Sequence, residues 1–246
     1  MLCLLAQDYV FEQAEEILLE LLGITMSAKQ IQRVSEHYGE ALEEQSRRQV
    51  KGEAQAPVLE LKHPQQPVYV MLDGSMIFIR EQGWKEIKVG RLFKASSRVG
   101  VQAGRNEVLQ SLYVCHLGGH KKFLQKWEAY SEAYPSKIII SDGAKWIWNW
   151  AEDCYPEAVQ ILDFYHALEK LGIYASVQYQ EETERKQWLE HQKEVLLNGG
   201  VERLIAELKG GTAVNKEARK AKEEVVRYYQ RNVSRMQYNT YLQKVI

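Results

Sequence analysis

The chain has 246 residues, 45% hydrophobic and 26% charged, with a net charge of −1 at neutral pH; this suits one large soluble domain, or one domain plus a small one, and gives no global sign of a polyanionic partner. No stretch reaches the roughly 20 apolar residues that a membrane helix needs, and Met1 to Val10 lacks the basic start and long apolar core of a secretory signal. Cys3, Cys115 and Cys154 have no close pairing, which fits a reducing cytosol, so a cytoplasmic location without membrane attachment is expected.

In chain order, Phe11 to Leu22 spaces Phe11, Ala14, Ile17, Leu18, Leu21 and Leu22 along one helix face, and Gly23 closes that helix. Ser27 is a good N-cap for a second helix from Ala28 to Glu44, buried through Ile31, Val34, Tyr38 and Leu42. Two helices joined by a short Gly-containing turn, with Lys29, Gln30, Gln32 and Arg33 near the start of the second, make a helix-turn-helix pattern. Such hairpins either contact DNA or only pack helices, and Lys29, Gln30 and Arg33 are the candidate contacts. Residues 45 to 67 are polar and hold Pro57, Pro64 and Pro67. The helical region therefore spans 1–50 and a linker 51–67.

Val68 to Leu72, Met76 to Arg80, Trp84 to Lys94 and Ser111 to Leu117 read as strands, with turns at Asp73-Gly74, Gln82-Gly83 and the Gly100 to Gly104 region. Asp73-Gly74 is open to two readings, a hairpin turn or an acid presented at a strand end. Between Ile87 and Phe93 the alternation puts Ile87, Val89 and Phe93 on one face and Glu86, Lys88 and Leu92 on the other, as in a meander with one wet face. Cys115, His116 and His120 contain metal-ligating types, but Cys115 lies in an apolar run and is expected in the core. Lys121 to Tyr134 sets Phe123, Trp127, Tyr130 and Tyr134 at helical spacing, a core stripe against a sheet.

Lys137 to His166 is a strand, helix, strand unit. Lys137 to Ser141 is a short β-branched strand, buried on both faces, that stops at Asp142-Gly143. A helix over Ala144 to Glu152 is ended by Tyr155-Pro156, and the strand Val159 to Leu162 stops at Asp163. Ligands of open α/β sheets gather outside the carboxyl ends of strands, so acids there mark a site, although strand-end acids also serve as helix N-caps. Helices follow over His166 to Tyr179, Glu181 to Leu197, Val201 to Leu208 and Lys216 to Asn232. From Lys209 to Arg235 eight basic residues oppose three acidic ones; such a helix is either a solvated face or, following an acid site on a nuclease-like sheet, a contact for backbone phosphates through Arg219, Lys220, Lys222 and Arg227.

Three antiparallel strands, a helix, a strand ending at Asp142, a helix and a strand ending at Asp163 make an α/β (α+β) succession that matches a ribonuclease-H-like mixed sheet. The core of that fold is expected over 68–166 and a C-terminal helical insertion over 167–246. In such a sheet Asp73 and Asp142 lie on adjacent strands. Two-metal phosphodiester cleavage needs carboxylates converging from different strands, and Mg2+ or Mn2+ suit oxygen ligands.

LDGSM (Leu72 to Met76), GWKEIKVGR (Gly83 to Arg91), SDGAKWIWNWAEDCYPEA (Ser141 to Ala158) and ILDFYHALEKL (Ile161 to Leu171) resemble the DDE transposases of bacterial insertion sequences, specifically the Kra-type group, distantly similar to Mutator-like transposases. Phe11 to Glu40 is similar to the N-terminal helical region of that group. The resemblance implies Asp73 and Asp142 as the first two acids of a catalytic, metal-binding triad. Asp163 and His166 stand where Mutator-like enzymes carry a Cys-x-x-His pair, and would shape the site or bind DNA; a helix cap and a satisfied histidine are the plain alternative. The implied cofactor is Mg2+ or Mn2+, and the implied partner is DNA, as insertion-sequence ends and target; a second copy of the chain is a candidate partner, and the sequence does not give the oligomeric state.

The family's third acid is a Glu in a Gly-Ser-Gly-containing segment shortly after the sequence resembling Tyr228 to Tyr241, and no such segment precedes Ile246. The start is also short relative to the family. The expectation is a truncated copy without the catalytic glutamate that does not cleave DNA at a family-like rate; no motif supports Glu217, Glu223 or Glu224 as substitutes. The alternative function is a non-catalytic DNA-binding or dimerising module.

Overall fold

The structure is a computed structural model and describes residues 1–63, 65–102 and 105–244. Pro64 of the expected linker, Ala103 and Gly104 of the expected turn, and the end at Ile246 lie outside the described residues. The chain divides into two compact units, Met1–Pro57 with Gln125–Tyr130, and Val58–Leu124 with Ser131–Ile246.

The first unit is built from α1 (Leu2–Asp8), α2 (Phe11–Leu22) and α3 (Ala28–Val50). Its core is Ala14, Leu18 and Ile31, with Leu2, Leu5, Phe11 and Met26 packed against it. Gly23 ends α2 with φ 65°, a left-handed conformation that a side chain would disfavour. Ser27 then starts α3 with a capping box: its hydroxyl accepts from the Gln30 N–H, and its own N–H donates to Gln30 Oε1 at 2.9 Å. The expected burial stripe is shorter than the periodicity implies. Tyr38 and Leu42 on α3 are exposed, as are Leu21 and Leu22 on α2, because the hairpin partner covers only the first turns of α3. Further along α3, Glu43 accepts from Lys126 Nζ at 2.6 Å and Gln49 from the Tyr130 hydroxyl at 2.5 Å. The expected helix is α4 (His120–Ser131), and Phe123 and Trp127 are fully buried as its stripe implies. Its two ends, however, group with the sheet, whereas Gln125–Tyr130 group with α1 to α3.

The second unit is mixed α/β around a five-stranded mixed sheet. Its strands are β1 (Val68–Ile79), β2 (Gly83–Lys94), β5 (Ser111–Leu117), β6 (Lys137–Ser141) and β7 (Val159–Leu162), ordered β5-β2-β1-β6-β7. β1 pairs antiparallel with β2, and β2 with β5, whereas β1–β6 and β6–β7 are parallel. A small separate hairpin, β3 (Arg98–Gln102) with β4 (Arg105–Val108), is inserted before β5. Gly100 thus lies in a strand rather than in the expected turn.

Asp73-Gly74 is neither a turn nor a strand end. β1 runs straight through it to Ile79, and the chain reverses at Arg80 to Gln82, where Glu81 has φ 69°. The one long strand replaces the two that were expected. What changes at Asp73 is the neighbourhood. Val68 to Leu72 are flanked by β2 and β6, and Val68, Val70 and Leu72 are buried, whereas from Asp73 onward only β2 is beside the strand and Asp73 to Phe78 are exposed.

The alternation on β2 holds but its wet face is inverted. Lys88, Gly90 and Leu92 are buried, and Ile87, Val89 and Phe93 are only half-buried. Leu92 pairs with Val70 and Gly90 with Leu72, so this face belongs to the same packed layer as the apolar face of β1. Cys115 sits on β5 as expected but is exposed, because it pairs with Val89 on the opposite, more open face.

β6 is buried along almost its whole length, as its isoleucine run implies. α5 (Lys145–Cys154) follows it and buries Ile147, Trp148, Trp150 and Ala151. The helices after β7 are α6 (Phe164–Gln178), α7 (Glu182–Leu197), α8 (Val201–Gly210), α9 (Lys216–Asn232) and α10 (Tyr238–Gln243). On α9, Ala218, Val225, Val226 and Tyr229 are buried, which turns its cations outward. No helix among the described residues is long and apolar enough to cross a membrane.

Candidate acid site

The register of the parallel strands puts three acids on one level. Leu72 pairs with Ser141, and Ser141 with Leu162, the last paired residues of β6 and β7; the next residues are Asp73, Asp142 and Asp163. Parallel neighbours lie about 4.8 Å apart, so consecutive strands deliver these acids side by side at the end of the parallel region. Ser141 fastens that level, since its hydroxyl donates to the Leu72 carbonyl and its own carbonyl accepts from the Asp163 N–H at 2.7 Å.

Each acid spends one oxygen locally. Asp73 Oδ1 accepts from the Gly74 N–H at 2.7 Å, and Asp142 Oδ1 from the Ala144 N–H at 2.9 Å, the Asx-type contact that leads the chain into α5. Asp163 is the N-cap of α6, and its Oδ1 takes both the His166 N–H at 2.9 Å and His166 Nδ1 at 3.2 Å. These are the contacts of a helix cap with a histidine bonded to it. Asp73 is exposed, and Asp142 and Asp163 are half-buried. Magnesium is commonly held by one or two carboxylates that leave several waters in place, the donor type that Asp73 and Asp142 would supply. Among the described residues no group of three or more His, Cys, Asp or Glu side chains could hold a metal ion. Among the described residues Glu217, Glu223 and Glu224 form no such group with these acids, and Glu223 and Glu224 line clefts on α9.

Two side chains near the acids carried no signal in the sequence. The first is Lys88, which pairs with Gly74, is 4% exposed, and donates to Glu86 with its ammonium 4.9 Å from the centre of the Trp146 ring. A Cβ on Gly74 would come within 2.7 Å of Lys88 Nζ, so this glycine leaves room for a crossing lysine rather than making a turn. Side chains alternate along β1, so Lys88 and Asp73 occupy opposite faces of the sheet and do not share a site.

The second is Tyr228 of α9. Its ring lies so close on Gly143 that a Cβ there would meet Cε2 at 2.2 Å. Its hydroxyl is buried beside the Gly143 amide, from which it accepts, and its own proton has no acceptor among the described residues. Burial pushes the phenol pKa well above its ordinary value, and the charges of Asp142, Asp163 and Glu169 push it further, against the Gly143 amide beside it. A phenol in this position can donate toward these acids and accept from the Gly143 amide. The neighbouring Tyr229 hydroxyl fixes α9 by donating to the Ala167 carbonyl at 2.8 Å, and on α10 the Tyr238 hydroxyl donates to the Leu162 carbonyl at 3.0 Å.

The expected phosphate contacts fall in two places. Lys29 and Arg33 are exposed on the first turns of α3, while Gln30 is occupied in the capping box. On α9, Arg219, Lys222 and Arg227 line a cleft of about 420 Å³ together with Lys209 and Glu223, and Lys220 is exposed on the same helix. Lys222 Nζ also donates to the Gly211 carbonyl at 2.6 Å, which holds this cation in place. No protein-family model matches the chain, and no curated protein matches it.

Proposed function

We propose that this chain is a transposase-like protein of DNA transposition, with a ribonuclease-H-like sheet carrying Asp73 and Asp142 as the metal-binding acids of phosphodiester cleavage and strand transfer. The observation that carries this reading is the register: the two acids follow a directly paired row, Leu72 with Ser141, on adjacent parallel strands. That strand order, with an antiparallel edge beside β1 and parallel strands on its other side, accords with the resemblance in LDGSM and SDGAKWIWNWAEDCYPEA. A divalent ion bound there would supply charge stabilisation and an activated oxygen nucleophile. Asp73 and Asp142 would orient it, each held by its own backbone N–H contact. Manganese-dependent nicking of supercoiled DNA by this chain is expected to be far slower than a complete acid triad would give, and the residual nicking to disappear in Asp142→Asn; residual nicking equal in the variant would remove the acid from the reaction.

The cationic face of α9 supports a second reading, a DNA-binding module that acts without chemistry. If α9 meets phosphates, log affinity for duplex DNA falls steeply with log salt, and Arg219→Ala, Lys220→Ala and Lys222→Ala together make that slope shallower by about 0.9 for each phosphate no longer neutralised. A slope unchanged by the triple substitution returns α9 to a solvated face. DNA binding that survives Asp142→Asn, in a chain with no nicking, favours this second reading.

A further inference from the structure

Alternation along β1 puts Tyr69 and Asp73 on one face, and the pairing of β1 with β2 and of β2 with β5 sets Phe93, Arg91 and Tyr113 on that same face. Asp73 shares a row with Val89 and Cys115, and Arg91 and Tyr113 occupy the next row, about 6.6 Å along the strands. This is the open face of the antiparallel strands: Tyr113 is 57% exposed, Asp73 and Cys115 are exposed, and Tyr69, Arg91 and Phe93 are half-buried. Its rings and its cation are ordered against one another. Tyr69 and Phe93 stack at 5.3 Å with planes 12° apart, and the Arg91 guanidinium carbon lies 4.9 Å from the centre of the Phe93 ring and 5.6 Å from that of Tyr113. Ser111 Oγ accepts from Arg91 Nε at 3.0 Å, which holds the guanidinium over the two rings. Burial raises the Tyr69 phenol pKa and the charge of Arg98, at the start of β3, opposes the rise, so a second cation stands beside the rings.

We propose that this face is a stacking platform for unpaired bases of a DNA strand, with Tyr113, Arg91 and Phe93 holding one or two bases beside Asp73. The inference rests on the phosphodiester reading of Asp73 and Asp142 and deepens it: the strand is single-stranded where it meets the acids, because bases paired and stacked in a duplex cannot lie flat on a sheet. Every base has a π face, so the platform takes a strand of any sequence. Aromatic rings and a guanidinium plane suit such faces, and the positive charge of Arg91 and Arg98 matches the anionic backbone. The platform is continuous with Asp73 on one face, so a strand lying on it runs directly to the acids. An apolar helix seated there would instead bury the Arg91 charge without a counter-ion. The contact is with bases and does not draw on the cations of α9.

The test measures fluorescence anisotropy of a short labelled oligothymidine, and of a duplex of the same length, with the full chain across a salt series. Tyr113→Ala is expected to weaken oligothymidine binding about 5- to 100-fold, with the salt slope and the duplex affinity unchanged, because it removes a neutral stacking side chain. Tyr113→Trp should keep the affinity. Trp84→Ala, which removes an aromatic 66% exposed on the opposite face of β2, is the control and should leave binding as it is. Thermal melts accompany each variant and should stay close to the parent's. A second readout needs no variant: alkylation of Cys115 by iodoacetamide should slow when oligothymidine is bound, whereas that of the exposed Cys154 should not. The platform is overturned by a parent that does not bind oligothymidine, by unchanged affinity in Tyr113→Ala, by an equal loss in Trp84→Ala, or by Cys115 alkylation that ignores the strand. It is also overturned if the parent sediments as a dimer and Tyr113→Ala as a monomer, the face then being an interface between copies. Each of these results leaves the acid reading standing where nicking depends on Asp142, whereas nicking that ignores Asp142 removes the acids while Tyr113-dependent binding keeps the platform.

Discussion

Gly143→Ala is expected to destabilise the sheet-containing unit by at least about 1–3 kcal/mol, the usual cost of forcing an extra carbon into a packed interior. The added Cβ would stand 2.2 Å from Cε2 of Tyr228, with Cζ and Cδ2 at 3.0 and 3.1 Å. The tyrosine cannot swing away cheaply, because Tyr229 beside it is fully buried and bonded to the Ala167 carbonyl, which fixes how α9 meets α6. Urea titration of the variant measures the destabilisation. Tyr228→Ala in the same background opens space for the methyl group, so the double variant should be more stable than the sum of the two single changes implies. Additive effects would mean that ring and glycine do not touch.

Manganese binding should vanish when either Asp73 or Asp142 is replaced by Asn. Each substitution keeps the shape and an amide oxygen that can still accept the local N–H of Gly74 or Ala144, but removes the negative charge that a divalent ion requires. Two carboxylates on adjacent strands, with waters completing the shell, should bind weakly, and calorimetric titration of the parent should show a single weak site. The Asn variants should give heats indistinguishable from dilution. Asp163→Asn is the informative contrast. Its Oδ1 is committed to the His166 N–H and Nδ1, so the substitution should disturb the start of α6 while manganese binding persists. Equal heats in the parent, Asp73→Asn and Asp142→Asn would sink the metal site.

Much of this architecture is written locally. Ile138 to Ile140 can only be a strand buried on both faces, and Tyr155-Pro156 can only end the helix before it. Ser27 and Gln30 announce the start of α3 through a capping pattern four residues long. Asp73, Asp142 and Asp163 are visible as acids closing apolar runs, because a polar residue after a buried run is itself a local feature. Asp73-Gly74 shows where local reading stops. The dipeptide carries the strongest short hairpin signal, yet β1 continues through it, because pairing with β2 along all twelve residues outweighs the turn preference of two. The inverted wet face of β2 has the same origin: alternation separates Lys88 and Leu92 from Val89 and Phe93, but which set is buried depends on the layer packed against it. Only the tertiary structure could bring Tyr228 onto Gly143, across 85 residues of chain. A tyrosine next to a buried one on a basic helix carries no mark of the acid it will face. The acids are legible because each closes its own apolar run, whereas the tyrosine wall beside them exists only where α6 and α9 meet.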